Sequence, residues 1–534
     1  MNAFRLPGLA IVIALIVGAV VLDQQRSAPE IATQEIRLPA ASVRGGDALS
    51  STWFCAAATS AQGLADSEVL LSNTLPTERT ATISVFEGSS LPANDAAVDE
   101  MTIPIPALTT TSLRLADLRD ADIVSIAVEV DGGGVLVDKI STGATGVART
   151  ACADDGSTEW ALTSGSTTPG SRLQLVVFNP FPDFATVDIE FVSSLGARSP
   201  EGLIGLPIPA RSSRVIEIGD FFASSENITS FVRVRSGRVV AETIQSFDGT
   251  GSPEGLSVFT GAPAPADIWT FPGVTPGAGP ARVVIVNPSE RRISANVDIF
   301  PAARERFVEP FEVVLQPGQG EIIDLNAPRL DGIASFTAVV RSLDGPLIIA
   351  GFEQRPAVVE PDPVAEAVEL EVDAPTTGFA AATGQPILST SLFTTVDVAE
   401  GDERSAIHVF NPAEDTFVRV TATVIVDGAS REVPIEVGPQ RTTRIALADI
   451  ATGRYALRLD ASGPIVATRE ITGLSSRSWA PMLPGAEGVP AEPTVSRPST
   501  ADEADDTDQA DTDQADADQA DADQADADQA DDDS

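Results

Sequence analysis

The sequence has little of the side-chain chemistry on which most enzymes depend. Its 534 residues include one histidine, one tyrosine and two cysteines. A Ser-His-Asp triad needs a histidine beside a nucleophile and a carboxylate, and a zinc site usually needs several His or Cys ligands. His408 lies in the strand IHVFNP, at a position where similar strands carry Leu70, Val176 and Val284, so we predict a packed strand histidine. The sequence therefore predicts no catalytic residues, no cofactor and no metal site. Pairs of carboxylates are the one enzymatic option left open.

Cationic and aromatic side chains are also scarce. The chain has 77 acidic and 34 basic residues, a net charge of -43, and Lys139 is its only lysine. An acidic surface repels nucleic acid and anionic lipid, which argues against either as a partner. We interpret the replacement of lysine by arginine as codon bias. The 5% of aromatic residues, with 41 glycines and 39 prolines, favours short strands joined by turns.

The N-terminal residues predict a membrane anchor. Leu6 to Leu22 carry no charge, Arg5 precedes them and Asp23 follows them. This length just spans a bilayer, and the flanking charges place the N-terminus in the cytoplasm and the bulk of the chain outside. A cleaved signal peptide, which would give a secreted protein, is the alternative. In an exported chain, Cys55 and Cys152 predict a disulfide that stabilises the fold by about 4 to 5 kcal/mol in the chain-entropy model. Two buried thiols are the alternative.

An internal repeat organises the rest of the chain. A strand that ends in asparagine recurs at intervals of 106, 108 and 124 residues, at Asn73, Asn179, Asn287 and Asn411. Proline follows three of the four. Asparagine bonds to nearby backbone in turns and proline ends a strand ladder, so we predict that each is a structural corner.

Apolar residues two apart, bounded by Gly, Pro, Asn and Asp, predict seven or eight antiparallel strands per repeat. This number and a repeat of about 105 residues are typical of an immunoglobulin-like sandwich. Two propeller blades per repeat are the alternative. We therefore predict an all-β protein of four tandem immunoglobulin-like β-sandwich repeats, with one N-terminal transmembrane helix and a disordered C-terminal tail. The predicted segments are the anchor 1–22, a linker 23–49, repeats 50–157, 158–266, 267–375 and 376–486, and an acidic low-complexity tail 487–534.

Four tryptophans mark the repeat junctions: Trp53, Trp160, Trp269 and Trp479. Each could bridge neighbouring repeats or fill the core of its own repeat. Because Trp479 follows the last predicted hairpin, we expect it to open a further, incomplete repeat.

The motif WFCAAA at Trp53, the recurring VFNP and VNP strands and the single N-terminal apolar segment resemble one uncharacterised family. It is the domain of unknown function 5719 family of actinobacterial exported proteins, and the resemblance covers roughly Ser50 to Gly485. It implies an envelope protein with a role around surface polysaccharide, and it implies no catalytic residues.

These observations favour a non-enzymatic extracytoplasmic protein of the cell envelope. We expect a membrane-tethered rod of four sandwiches that acts as a scaffold or adhesion module, with cell-wall polysaccharide or an envelope protein as its partner. The alternative is a carbohydrate-binding or carbohydrate-processing accessory that uses surface carboxylates. The sequence indicates neither the oligomeric state nor whether the four sandwiches form a straight rod or a closed ring.

Overall fold

The computed structural model describes residues 40–488 except 61–63, 91–97, 194–195, 277–278, 304–306, 347, 356–377, 400–401, 403 and 473–476. The described chain is all-β, as predicted. The predicted anchor at 1–22 and most of the predicted tail at 487–534 lie outside the described residues. Within the described ranges, no helix is long and apolar enough to cross a membrane.

The strands follow one another in four sets. The first set is β1 (Ser51–Ala58), β2 (Ala65–Asn73), β3 (Arg79–Ser89), β4 (Val98–Ile105), β5 (Thr110–Arg114), β6 (Val124–Val130), β7 (Val135–Gly143) and β8 (Gly146–Ala151). The second is β9 (Glu159–Gly165), β10 (Ser171–Asn179), β11 (Ala185–Ser193), β12 (Gly196–Arg198), β13 (Leu206–Ile208), β14 (Ser212–Glu217), β15 (Ile228–Ser236), β16 (Val240–Phe247) and β17 (Gly255–Thr260).

The third set is β18 (Ile268–Val274), β19 (Ala281–Val286), β20 (Ile293–Pro301), β21 (Phe311–Leu315), β22 (Gly320–Asp324), β23 (Phe336–Ser342), β24 (Ile349–Gln354) and β25 (Ala380–Thr383). The fourth is β26 (Ser389–Val398), β27 (Ala406–Asn411), β28 (Val418–Val426), β29 (Ala429–Val437), β30 (Arg441–Ala446), β31 (Gly453–Thr472), β32 (Arg477–Pro481) and β33 (Leu483–Pro484). The helical turns are Leu115–Asp117, Glu201–Leu203, Ile218–Asp220, Pro328–Leu330, Leu447–Ile450 and Ala486–Gly488.

One pairing scheme recurs in all four sets. In the first set, the first sheet has the order β1-β6-β3-β4 and the second sheet has the order β5-β2-β7-β8. The later sets repeat both orders, as β9-β15-β11-β13 with β14-β10-β16-β17, β18-β23-β20-β21 with β22-β19-β24-β25, and β26-β31-β28-β29 with β30-β27-β31-β32. In the fourth set the long strand β31 contributes its first half to one sheet and its second half to the other. Each set is therefore sandwich-like; the immunoglobulin-like assignment stays a prediction.

One predicted boundary is wrong. The boundary between 375 and 376 assigns β25 to the fourth repeat, whereas β25 pairs with β24 of the third set. Residues 356–377 separate β25 from β24 in the sequence. Because of this distance, the pairing of the two strands could not be recognised from the sequence. The other boundaries stay predictions.

The four sets contact one another in a closed cycle. We call the last strand of the second sheet in each set its central strand; the four central strands are β8, β17, β25 and β32. β8 contacts β17, β17 contacts β25, β25 contacts β32, and β32 contacts β8. In addition, the first sheet of each set packs against the second sheet of the next set. The strands in contact are β1 and β16, β9 and β24, β18 and β31, and β26 and β7. Of the two arrangements that the sequence left open, the closed ring is therefore observed and the straight rod is not, because the fourth set packs against the first.

The two ends of the described chain meet within this cycle. Val43 forms a parallel bridge with Gly485, and the Val43 N–H donates to the Pro484 carbonyl at 2.9 Å. The Ala486 N–H donates in turn to the Val43 carbonyl at 2.9 Å. The segment before β1 thus joins the segment after β32.

Alternation of apolar side chains places the core. In β11, for example, Val187, Ile189 and Phe191 are fully buried, while the residues between them are only partly buried. Successive side chains of a strand point to opposite faces, so one face of the sheet lies in the core. Several core clusters include residues of two sets: Trp53 packs in a cluster that contains Phe393 and Leu483. The cores of neighbouring sets are therefore continuous.

Candidate functional site

A cavity of about 970 Å³ lies where the central strands end and the chain passes to the next set. All four sets contribute to its wall, with Ala153, Ala262, Thr383 and Met482 as one residue from each. We call it the central cavity. Its volume lies at the upper end of the range of about 300 to 1,000 Å³ that is usual for small-molecule sites.

One part of the wall of the central cavity is charged. The carboxylate of Asp154 accepts hydrogen bonds from the backbone N–H and the hydroxyl of Ser42, each at 3.0 Å. Burial raises the pKa of Asp154, although the two bonds from Ser42 oppose the shift. Asp155 accepts a bond of 3.0 Å from Arg238, whose guanidinium lies 4.4 Å above the ring of Phe181. This wall can therefore bind polar groups of a ligand, while alanines and prolines line much of the rest.

The four repeat asparagines make the same contacts. All are fully buried. The Nδ2 group of Asn179 donates to the carbonyls of Asp183, Ile208 and Pro209, and its Oδ1 accepts from the N–H of Phe181. The corresponding groups of Asn73, Asn287 and Asn411 bond to the loop that follows each of them and to the strand end opposite. Each asparagine thus holds a corner together and is not brought into the central cavity.

Three of the four tryptophans share one position. Trp53, Trp160 and Trp269 lie in the first strand of their sets, and the last two donate their indole N–H to a carbonyl of their own set, at Val239 and Ile348. Trp160 also lines the central cavity. These two indoles therefore hold their own sets together.

Trp479 occupies a different position. It lies in the central strand β32, which pairs with β31, so it does not open a fifth set of strands as the sequence suggested. Its indole N–H donates to the Pro272 carbonyl of the third set at 3.3 Å, and its ring stacks on Phe271. Trp479 therefore connects two neighbouring sets and also forms part of the cavity wall.

The predicted disulfide is confirmed. Cys55 of β1 and Cys152, just after β8, are bonded, and both are buried. The bond joins the two sheets of the first set at the edge of the central cavity.

The polar contacts between neighbouring sets were not predicted from the sequence. One position recurs at each of them, occupied by Asp138, Glu242, Gly351 and Thr468, and each of these pairs with the residue three before the repeat asparagine. We call it the seam position. Glu242 accepts the Ala57 N–H at 2.6 Å and Asp138 accepts the Thr395 N–H at 2.9 Å.

The other two seam positions carry no charge. Thr468 donates to the Pro272 carbonyl at 2.9 Å. Gly351 leaves room for the Thr163 hydroxyl, which would lie 1.8 Å from a Cβ atom at that position. Each seam residue therefore contacts the first strand of the preceding set.

Buried charges accompany the seam position. Lys139 lies 2.6 Å from Glu242, and Arg469 lies 3.2 Å from Asp138. His408 is buried, as expected, but its Nε2 lies 2.9 Å from the carboxylate of Glu470, which also pairs with Arg477. The signals available in the sequence were the single lysine and the single histidine; neither identifies its partner. Within the described residues, no group of three or more His, Cys, Asp and Glu side chains is arranged to hold a metal ion.

Comparison with known proteins identifies the family. The model of a family described as "Family of unknown function (DUF5719)" matches residues 138–432, more than half of the chain. The chain belongs to this family. No curated protein matches it.

Among the solved structures with which the chain aligns is one titled "Crystal structure of tetra-tandem repeat in extending region of large adhesion protein". The alignment has 11% identity, covers 81% of this chain and 99% of that chain, and has a TM-score of 0.10. A score this low does not establish a shared fold.

Proposed function

We propose that the protein is a non-enzymatic binding module of the cell envelope and that its ligand occupies the central cavity. The observation that carries the proposal is the composition of the cavity wall, to which all four sets contribute. A site of this kind exists only when the cycle of sets is closed. Ligand sites are usually concave, mostly apolar and equipped with a few fixed polar groups, and this cavity has each of these properties.

The charged groups in the wall are held in place by hydrogen bonds. Asp154 is engaged by Ser42, and Asp155 is engaged by Arg238 and by the Gly156 N–H at 2.7 Å. Such groups are held in fixed positions, as a binding site requires.

Two features support an extracytoplasmic location. Disulfides form and persist in oxidising compartments, and Cys55 is bonded to Cys152. The uncharged segment Leu6–Leu22 has the length and flanking charges of an anchor. The proposed partners are cell-wall polysaccharide or an envelope protein.

A carbohydrate-binding accessory is the second candidate. It is favoured by the adjacent carboxylates of Asp154 and Asp155 and by the guanidinium of Arg238, since these groups can bond to sugar hydroxyls. In this case the Asp155→Asn variant would lose affinity for a glycan and keep affinity for any peptide ligand.

Occlusion of the cavity tests the main proposal. Thr383 lies in the wall and is only partly buried, so the indole of Thr383→Trp would obstruct part of the cavity without cutting into the core. Thr102→Trp, on the exposed side of β4, is the matched control. Titration calorimetry with cell-wall oligosaccharides and short envelope peptides should detect a ligand that binds the wild type and Thr102→Trp and fails to bind Thr383→Trp. Equal affinity in all three proteins would contradict the proposal.

A further inference from the structure

The only lysine of the chain lies against a carboxylate in a site closed to water. Lys139 is on β7 of the first set and Glu242 is on β16 of the second, and both side chains are completely inaccessible to solvent. The Lys139 Nζ lies 2.6 Å from Glu242 Oε2 and 2.6 Å from the Ala57 carbonyl oxygen. A buried charge pair gains little net stability because both ions lose their hydration.

The choice of residue is informative. The chain has 34 basic residues, and lysine occupies this one position among them. Codon bias explains why lysine is rare but does not explain why the one that remains is buried opposite a carboxylate. Arginine would bind that carboxylate through two parallel bonds, yet it cannot lose its proton. A lysine amine can lose its proton, and the neutral amine is a nucleophile.

The surroundings of the pair favour reaction. Burial lowers the pKa of Lys139, although the charge of Glu242 opposes the shift. Two donors address the carboxyl group: the Ala57 N–H contacts Oε2 at 2.6 Å, and the Thr260 hydroxyl contacts Oε1 at 3.0 Å. Donors fixed in a dry site can stabilise the negative charge that develops on a carboxyl oxygen during attack.

We propose that Lys139 and Glu242 condense to an amide that covalently joins the first and second sets of strands. Proton transfer from Nζ to Oε2 along their hydrogen bond gives a neutral amine and a neutral acid. The Nζ lone pair then forms a bond to Cδ, and the electron pair of the C=O bond moves to Oε1, where Thr260 donates. A proton passes from nitrogen to the Oε2 hydroxyl, the electron pair on Oε1 re-forms the C=O bond as the Cδ–Oε2 bond breaks, and one water leaves. The ammonium and the carboxylate are thus converted to an amide and water, with no oxidation or reduction.

The cross-link would reinforce the disulfide. Cys55 and Ala57 lie on the same strand, and Thr260 also approaches the carbonyl of Ala151, the residue before Cys152. The disulfide joins β1 to the end of β8, and the amide joins β7 to β16. The disulfide would then hold the two sheets of the first set together, and the amide would hold the first set to the second.

Intact mass spectrometry of the purified full chain is the first test. We expect the reduced, denatured protein to be lighter than its sequence mass by one water. An unchanged mass in folded protein that has been stored for days would overturn the proposal. The Lys139→Arg variant keeps the positive charge but has no amine to acylate, so it should show the full mass.

Peptide mapping locates the bond. Trypsin cannot cleave after an acylated lysine, so we expect one branched peptide that joins residues 120–149 to residues 239–282. A cyclic imide at an Asp-Gly pair such as Asp131–Gly132 also loses one water, but it would leave Lys139 cleavable. A lost water that maps to such a pair, with an unbranched peptide ending at Lys139, would overturn the proposal.

Discussion

Arg469 and Asp138 are 331 residues apart in the sequence, and their side chains meet at 3.2 Å in a buried contact between the fourth and first sets of strands. Asp138 occupies the seam position and also accepts the N–H of Thr395. The pair thus lies in the contact that completes the cycle. Loss of this pair would affect the junction between the fourth and first sets.

Removal of Arg469 should destabilise this junction strongly. In Arg469→Met the carboxylate of Asp138 stays buried without its cationic partner, and breaking a buried pair in this way usually costs about 3 to 5 kcal/mol. Arg458→Met is the matched control, because Arg458 pairs with Asp460 at 2.7 Å on the surface, where such pairs are worth less than about 1 kcal/mol. Urea unfolding of both variants measures the difference. Equal losses in the two would show that the buried pair is not needed for closure.

Gly273 should tolerate no side chain because of its neighbour His408. Gly273 has φ +83°, and a Cβ atom there would lie 2.2 Å from His408 Cγ. Gly332 has the same φ, but no atom lies within 4 Å of its Cβ position. Gly332→Ala should therefore cost only the backbone strain of about 1 kcal/mol, and Gly273→Ala should cost several times more. Thermal unfolding of the two variants isolates the contact. Addition of His408→Ala to Gly273→Ala should restore part of the loss; the absence of any rescue would locate the strain elsewhere.

Glu470 should make stability depend on pH in strong acid. Burial alone would raise the pKa of Glu470, but the charge of Arg477 and the bonds from His408 and Arg477 outweigh it and lower the pKa to about 2. A folded pKa below the unfolded value contributes stability that is fully present above about pH 4.5 and is lost as the pH falls towards 2. The shift corresponds to roughly 3 kcal/mol. Glu470→Gln should unfold more easily at pH 7 and show a flatter stability profile between pH 4.5 and 2. Parallel profiles for the variant and the wild type would refute this assignment.

Reduction of the disulfide should weaken the whole described unit. Cys55 and Cys152 are separated by 97 residues, and opening a loop of that length costs about 4 to 5 kcal/mol in the chain-entropy model. Guanidinium unfolding with and without reductant gives the difference. The double variant Cys55→Ala/Cys152→Ala should unfold at the same midpoint in both conditions. A midpoint of the wild type that does not change on reduction would contradict the prediction.

The sequence predicted those features that depend on local pattern. Alternating apolar residues indicated the strands, and two cysteines in one repeat indicated their bond. The recurring asparagines could be placed at strand ends because the following Pro and turn residues lie next to them in the sequence. The residues that follow each asparagine in the chain are also close to it in space.

Contacts between distant strands could not be predicted in the same way. His408 was expected to be packed, yet nothing in its strand identifies Glu470, which is 62 residues away, as its partner. The seam positions carry aspartate, glutamate, glycine and threonine, so they share no residue type that would reveal a common role. Trp479 marks a repeat junction in the sequence as Trp160 and Trp269 do, but it lies in a different strand, because its position is set by pairing with β31. The central cavity depends on all of these contacts and therefore has no signature of its own.

The bridge between Val43 and Gly485 implies that the order of the sets along the chain is not essential to the architecture. Adjacent chain ends allow a protein to be circularly permuted. A permuted gene could join residue 488 to residue 40 through a short linker and begin at Ala264, in the partly exposed passage between the second and third sets. Its product would keep every strand pairing described above. Only the set of strands that is synthesised first would change.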